Sequence, residues 1–125
     1  MKVAYKVWID NHGQAFGEGP YELLIRTKKT GSLRQAAYRM GMSYSKAWKQ
    51  IQIMGKRLGF PLLDKRVGGR SGGGSRVTAE AEDLIKRYTR FRKDVRETLE
   101  EIYQKYFGSM EEKRESNKCT GKVRQ

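Results

Sequence analysis

The stretch "GSLRQAAYRMGMSYSKAWKQIQIM", Gly31–Met54, decides the fold of this chain. Ser32 followed three residues later by Gln35 has the spacing of a capping box, in which a serine hydroxyl and a glutamine amide satisfy the free amides of a helix start. Leu33, Ala36, Ala37 and Met40 then recur at helical spacing and form one apolar face. Gly41 ends that helix, Ser43 caps the next, and the second helix extends from about Tyr44 to Leu58 with Ala47, Ile51, Met54 and Leu58 inward. Two short helices joined by a glycine-containing turn make a helix-turn-helix. The small residues Ala37, Gly41 and Ala47 suit it, because crossing helices must approach closely and the turn needs a residue without a Cβ.

Upstream, "KVAYKVWID" (Lys2–Asp10) alternates, with Val3, Tyr5, Val7 and Ile9 on one face, and is predicted to be a strand. "NHGQ" is a turn that places His12 at a solvated tip, and "AFGEG" is predicted to return as a short second strand. Gly19-Pro20 is predicted to open a first helix that carries Leu23, Leu24 and Thr27 and stops at Gly31. Downstream, Gly59 and Pro61 close the second helix of the pair. "PLLDKRV", a glycine run and "RVT" then read as strand, turn and strand, a wing behind the helix-turn-helix. A phosphate-binding P-loop does not fit. Gly68 and Gly73 have the required separation, but Gly74 stands where the lysine belongs and the run leads into a strand.

Thr78 is predicted to cap a last helix, with Glu80, Glu82 and Asp83 in its first turn. Leu84, Tyr88, Phe91, Val95, Leu99, Ile102 and Tyr106 form one stripe with a mean step of about 3.7 residues, an amphipathic helix that Gly108 is predicted to end. A stripe this long exceeds what so small a domain can cover, so these seven residues are the expected homodimer interface. The predicted fold is mostly α with a small β-hairpin. Residues 1–78 form a winged helix-turn-helix, 79–108 a dimerisation helix, and 109–125 a polar tail read as disordered.

Charge points to the partner. The formal net charge is +13, and from Arg26 to Arg76 there are thirteen Lys/Arg and one acid, Asp64. A block this one-sided fits a polyanion, double-stranded DNA first. On the second helix of the pair, the face opposite the apolar stripe carries Ser45, Lys49 and Gln52, with Tyr44 at the N-terminal end. These four are the expected base readers: Lys can donate to guanine, Gln can bind adenine bidentately, and Ser serves either. Ser32, Arg34, Gln35, Ser43, Lys46, Lys65 and Arg66 are expected on the DNA backbone. In the wing, Arg70, Ser71, Ser75 and Arg76 are expected at the backbone or minor groove, where a glycine tip can lie flat. Trp48 is expected to pack rather than read. A nonspecific architectural DNA- or RNA-binding protein is the alternative; it would not need the groove-facing set.

Other classes lose support. The single histidine and single cysteine cannot build a zinc finger, so no metal or other cofactor is expected, and no intrachain disulfide is possible. There is no paired-carboxylate or Ser-His-Asp arrangement for an enzyme. No segment reads as a signal peptide or membrane span, and a cytoplasmic location is expected.

"TGSLRQAAYRMGMSYSKAWKQIQIM" and the later "LLDKRVGGRSGGGSRVT" resemble the N-terminal DNA-binding domain of the molybdate-responsive ModE family. The shared traits are Ser43-Tyr44 followed by Ala47-Trp48, a glycine-rich wing, and a Thr-started helix ending near aromatics. "GSLRQAA" and "LGFPLLDKR" carry a looser likeness to LysR-type regulators. The resemblance implies a homodimeric winged-helix transcription factor, with dimer contacts through the first and last helices and the N-terminal strand. It departs at Ala81, which stands where the family usually has glycine. The family's full-length regulators also carry a C-terminal oxyanion-binding region. The seventeen residues after Gly108 cannot form one, so molybdate or another oxyanion is not expected as a partner here.

Overall fold

The computed structural model describes residues 1–65 and 74–121, with side chains omitted at Lys65 and from 112 onward. The element order is β1 (Ile9–Asp10), β2 (Gln14–Phe16), α1 (Glu18–Thr30), α2 (Leu33–Arg39), α3 (Tyr44–Leu58), β3 (Leu63–Lys65), β4 (Ser75–Val77) and α4 (Ala79–Gly121). The chain divides into two compact units, Val7–Thr89 and a second made of Met1–Lys6 with Arg90–Gln125.

Val7–Thr89 is the winged helix-turn-helix. Its core is Phe16 on β2, Leu23, Leu24 and Thr27 on α1, Leu33, Ala36 and Ala37 on α2, Ala47 and Ile51 on α3, Leu62 and Ala81, all at most 1% exposed. The alanines at 36, 37 and 47 let α2 and α3 close on each other. The Thr27 hydroxyl satisfies itself on the Leu23 carbonyl at 2.7 Å. Three aromatic rings close one end: Phe16 meets Tyr88 edge-on at 5.2 Å, and Tyr21 lies 5.0 Å from Tyr88.

Local chemistry sets the helix ends. Gly31 and Gly59 close α1 and α3 in the left-handed conformation, at φ 75° and 92°. The Ser32 Oγ accepts from the Gln35 amide at 3.2 Å, and the Ser43 Oγ from the Lys46 amide at 3.1 Å. The predicted capping box is half made. The Ser32 amide donates to the Thr30 hydroxyl at 3.2 Å instead of to the Gln35 side chain, because Thr30 is nearer on the incoming turn. Thr78 caps α4 as expected: its Oγ1 accepts from the Ala81 amide at 3.1 Å and donates to the Pro61 carbonyl at 2.8 Å. α1 begins two residues ahead of Pro20, with Gly17 as its N-cap. A proline is tolerated there because first-turn amides have no intrahelical acceptor anyway.

The wing hairpin is antiparallel, with Leu63 opposite Val77, Asp64 opposite Arg76 and Lys65 opposite Ser75. The Ser75 amide donates to the Gly31 carbonyl at 3.0 Å, tying the hairpin to the turn between α1 and α2.

Two expectations are corrected. The N-terminal strand does not extend over Val3–Ile9: β1 holds only Ile9 and Asp10, and it pairs with β2 through an irregular register. A strand needs a ladder partner, and β2 has no residue beyond Phe16 to offer, because Gly17 already caps α1. Nor does the last helix end at Gly108. α4 continues to Gly121. A mid-helix glycine costs only about 1 kcal/mol relative to alanine, and the Glu/Lys/Arg-rich sequence beyond it favours helix.

One glycine was not singled out by sequence. A Cβ on Gly55 of α3 would stand 3.0 Å from the Phe60 carbonyl oxygen. That oxygen cannot easily retreat, since the Gly59 and Phe60 amides both bond the Gly55 carbonyl, at 2.8 and 3.1 Å. Gly55→Ala is therefore expected to lower stability by about 1–2 kcal/mol despite alanine's better helix propensity. Urea unfolding followed by circular dichroism checks this.

Candidate nucleic-acid interface

α3 is two-faced. Ala47, Ile51, Met54 and Gly55 are buried, while Ser45, Lys46, Lys49, Gln52 and Lys56 are exposed. The 3.6-residue repeat puts Ser45, Lys49 and Gln52 together on the outer side, one turn apart, as the spacing predicted. Trp48 is half-buried and packs against the core. Tyr44, half-buried at the start of α3, also packs on the core, and the Arg34 guanidinium sits over its ring at 4.3 Å from the centroid.

The residues expected on the DNA backbone cluster at the α2 and α3 N-termini. Arg34, Gln35, Ser43 and Lys46 are exposed and Ser32 is half-buried. Both cap serines use an oxygen lone pair on their own helix, which leaves each hydroxyl proton available to an outside acceptor. The bond from Ser75 to Gly31 places β4, with exposed Arg76, beside the start of α2. Lys65 lies on β3, and its side chain is not among the described atoms. Arg66, Arg70 and Ser71 lie outside the described residues.

The basic block is not all interface. The Arg57 Nη1 donates to the Gln14 carbonyl at 2.6 Å, and the Asn11 Nδ2 donates to the Arg57 carbonyl at 2.6 Å, so this arginine pins the β1–β2 turn to the end of α3. Lys28 pairs with Glu82 at 3.1 Å and Arg26 with Glu22 at 3.0 Å. The pair from Glu22 to Arg26 is a local i, i+4 contact along α1, whereas the other two join residues far apart in sequence.

The α4 stripe is uneven. Leu84, Val95 and Leu99 are half-buried, while Phe91, Ile102 and Tyr106 are 40%, 48% and 64% exposed. Tyr88 is corrected: at 3% exposure it belongs to the aromatic core of Val7–Thr89, with its hydroxyl donating to the Val7 carbonyl at 3.4 Å, and leaves almost no surface for a second copy. Among the described residues there is no group of three His, Cys, Asp or Glu side chains placed to hold a metal ion. No helix among them is long and apolar enough to cross a membrane.

Residues 21–82 match the model of the bacterial regulatory helix-turn-helix proteins of the lysR family. That segment runs from Tyr21 on α1 through the wing to the first turn of α4. That segment carries a lysR-type regulatory helix-turn-helix domain. The domain is ModE-like. It is similar to the molybdenum-pterin-binding protein MopB of Rhodobacter capsulatus, 34% identical over 87 residues, which cover 70% of this chain and 32% of that one. It is also similar to the transcriptional regulator ModE of Haemophilus influenzae, 39% identical over 66 residues, which cover 53% of this chain and 26% of that one. The chain thus spans about a third or less of the length of these relatives. In fold it resembles the solved CbnR_DBD-DNA complex, with a TM-score of 0.51 at 21% identity, covering 62% of this chain and 83% of that one. The winged helix-turn-helix described above is thus a fold shared with a solved DNA-binding domain.

Proposed function

We propose that this protein is a DNA-binding transcriptional regulator of the ModE type. It acts as a homodimer on double-stranded DNA, with α3 in the major groove and the wing on the backbone or minor groove. The observation that carries this is the outer face of α3. Exposed Ser45, Lys49 and Gln52 stand opposite a fully buried stripe, on a lysR-type helix-turn-helix, inside a segment with thirteen basic residues and one acid. Lys49 and Gln52 read base edges, and Ser45 supports them. Ser32, Gln35, Ser43 and Lys46 hold the backbone, and Arg76 extends that contact to the wing. The exposed part of the α4 stripe supports pairing of two copies, with half-sites then about one helical turn apart.

Selection from a random duplex library, followed by salt titrations, tests the reading. Arg76→Ala is expected to weaken the selected and a mixed-sequence duplex alike, and to lower the salt slope by about 0.9. Gln52→Ala is expected to cost about 1–3 kcal/mol on the selected duplex and to spare the mixed one. A library that yields no enriched sequence would favour the nonspecific architectural alternative. Equal loss on both duplexes for Gln52→Ala would remove that residue from the reading set.

A further inference from the structure

We infer that Tyr44 is a positioning residue whose ring holds the Arg34 guanidinium against the DNA backbone, so that Arg34 and Tyr44 act as one composite phosphate contact. This rests on the DNA-binding reading of the same face and reassigns Tyr44 from the base-reading set.

Arg34 is the second residue of α2 and Tyr44 the first of α3, so the pair bridges the two helix N-termini across the intervening turn. The guanidinium carbon lies 4.3 Å from the ring centroid, well within the range of a cation–π contact. Tyr44 is half-buried and packed on the core, which makes it a fixed platform, whereas Arg34 is exposed. Among the described residues no carboxylate pairs with Arg34, unlike Arg26 and Lys28. Its charge is therefore not offset by any of them. Stacking leaves the guanidinium edge, with its five N–H donors, free for an anion.

An unsupported arginine must lose its rotamer freedom when it grips a phosphate; one already lying on a ring loses less. The ring covered by Arg34 is correspondingly not open to a base edge. The anion class is fixed by position. A guanidinium beside the capped start of the groove-entering helix meets a phosphodiester, which accepts bidentate hydrogen bonds.

The test is a double-mutant cycle, with Kd measured on the selected and the mixed-sequence duplex over a salt series. Arg34→Ala, at an exposed position, is expected to weaken both duplexes and lower the salt slope by about 0.9. Tyr44→Leu is expected to weaken both by about two- to fivefold, the range of an exposed cation–π contact. Tyr44→Phe, which keeps the ring, is expected to bind like the parent. In the Arg34→Ala background, Tyr44→Leu is expected to have no further effect. The inference is overturned if Tyr44→Leu affects only the selected duplex, if it persists undiminished in the Arg34→Ala background, or if Tyr44→Phe fails as badly as Tyr44→Leu. Circular dichroism melts confirm that each variant is folded at the binding temperature. Should the parent bind neither duplex at low salt, the DNA-binding reading itself falls, an outcome distinct from any of these.

Discussion

Ile51→Ala is expected to destabilise the winged helix by about 2–5 kcal/mol, the usual range for removing a buried branched side chain and leaving a cavity. Ile51 is 1% exposed and belongs to the core cluster that also holds Leu23 and Leu24 of α1, Leu33 of α2 and Leu62. The alanines at 36, 37 and 47 in the same core cluster have no side-chain length with which to fill a cavity. Small domains have only about 5–15 kcal/mol of stability in total, so this one change removes a large share of it. For a unit of this size each kcal/mol moves the midpoint by about 4–8 °C, and a fall in Tm on the order of 10 °C or more is expected. Its sequence neighbour gives the contrast. Gln52 is exposed, and Gln52→Ala should leave stability within about 0.5 kcal/mol while damaging DNA selection. Thermal melts and duplex titrations on the two variants should therefore separate cleanly: one loses the fold and the other the reading. If Ile51→Ala melts like the parent, the inward assignment of α3 is wrong.

The helix-turn-helix was legible because its determinants are local. Cap serines at 32 and 43, the glycine at 41 and an apolar stripe of step three and four all lie within one short window, and each acts on its immediate neighbours. What was missed depends on distant partners. The alternation of Val3, Tyr5, Val7 and Ile9 satisfies the local pattern of a strand, but a strand exists only where another edge meets it, and β2 is exhausted at Phe16. Gly108 carries the local signature of a helix stop, yet the backbone conformation there is decided by the helix-forming residues on either side. Tyr88 matched the period of the α4 stripe, but period alone does not say which part of a long helix is already covered by its own domain; Phe16 and Tyr21 cover it. The site divides in the same way. The outer face of α3 follows from helical geometry alone. Arg57 serving the β1–β2 turn, Lys28 meeting Glu82 across 54 positions, and Arg34 stacking on Tyr44 across a turn are meetings that no spacing rule encodes.

Placing two carboxylates on the open part of the α4 stripe, Ile102→Glu with Tyr106→Glu, is expected to convert the protein to a monomer and to weaken the selected duplex by about 10²–10⁴-fold, the usual gain from linking two binding modules. Ile102 and Tyr106 are 48% and 64% exposed, and Phe91 and Met110, also on α4, leave 40% and 52% of their surfaces open. Large apolar side chains repeating along one side of a helix are unusual on a free surface, and a second copy presenting the same side would bury them by the non-directional hydrophobic effect. A carboxylate carried into such a contact must be desolvated without a partner, and in a two-fold arrangement each substitution enters the interface twice. The winged helix should be untouched, because its core lies in Val7–Thr89 and neither residue belongs to it. Affinity for a mixed-sequence duplex at low salt should then fall far less than affinity for a selected two-half-site duplex, since each protomer keeps its own phosphate contacts. Glu97→Gln serves as the control: it changes charge on the opposite side of the same helix, where Glu97 pairs loosely with Lys93 at 4.0 Å, and it should leave the assembly intact. Sedimentation velocity on parent and variants, beside binding to one-half-site and two-half-site duplexes, decides the matter. A parent protein that sediments as a monomer at tens of micromolar, or a double-glutamate variant that remains dimeric, would move the interface off this stripe and leave each winged helix to act alone.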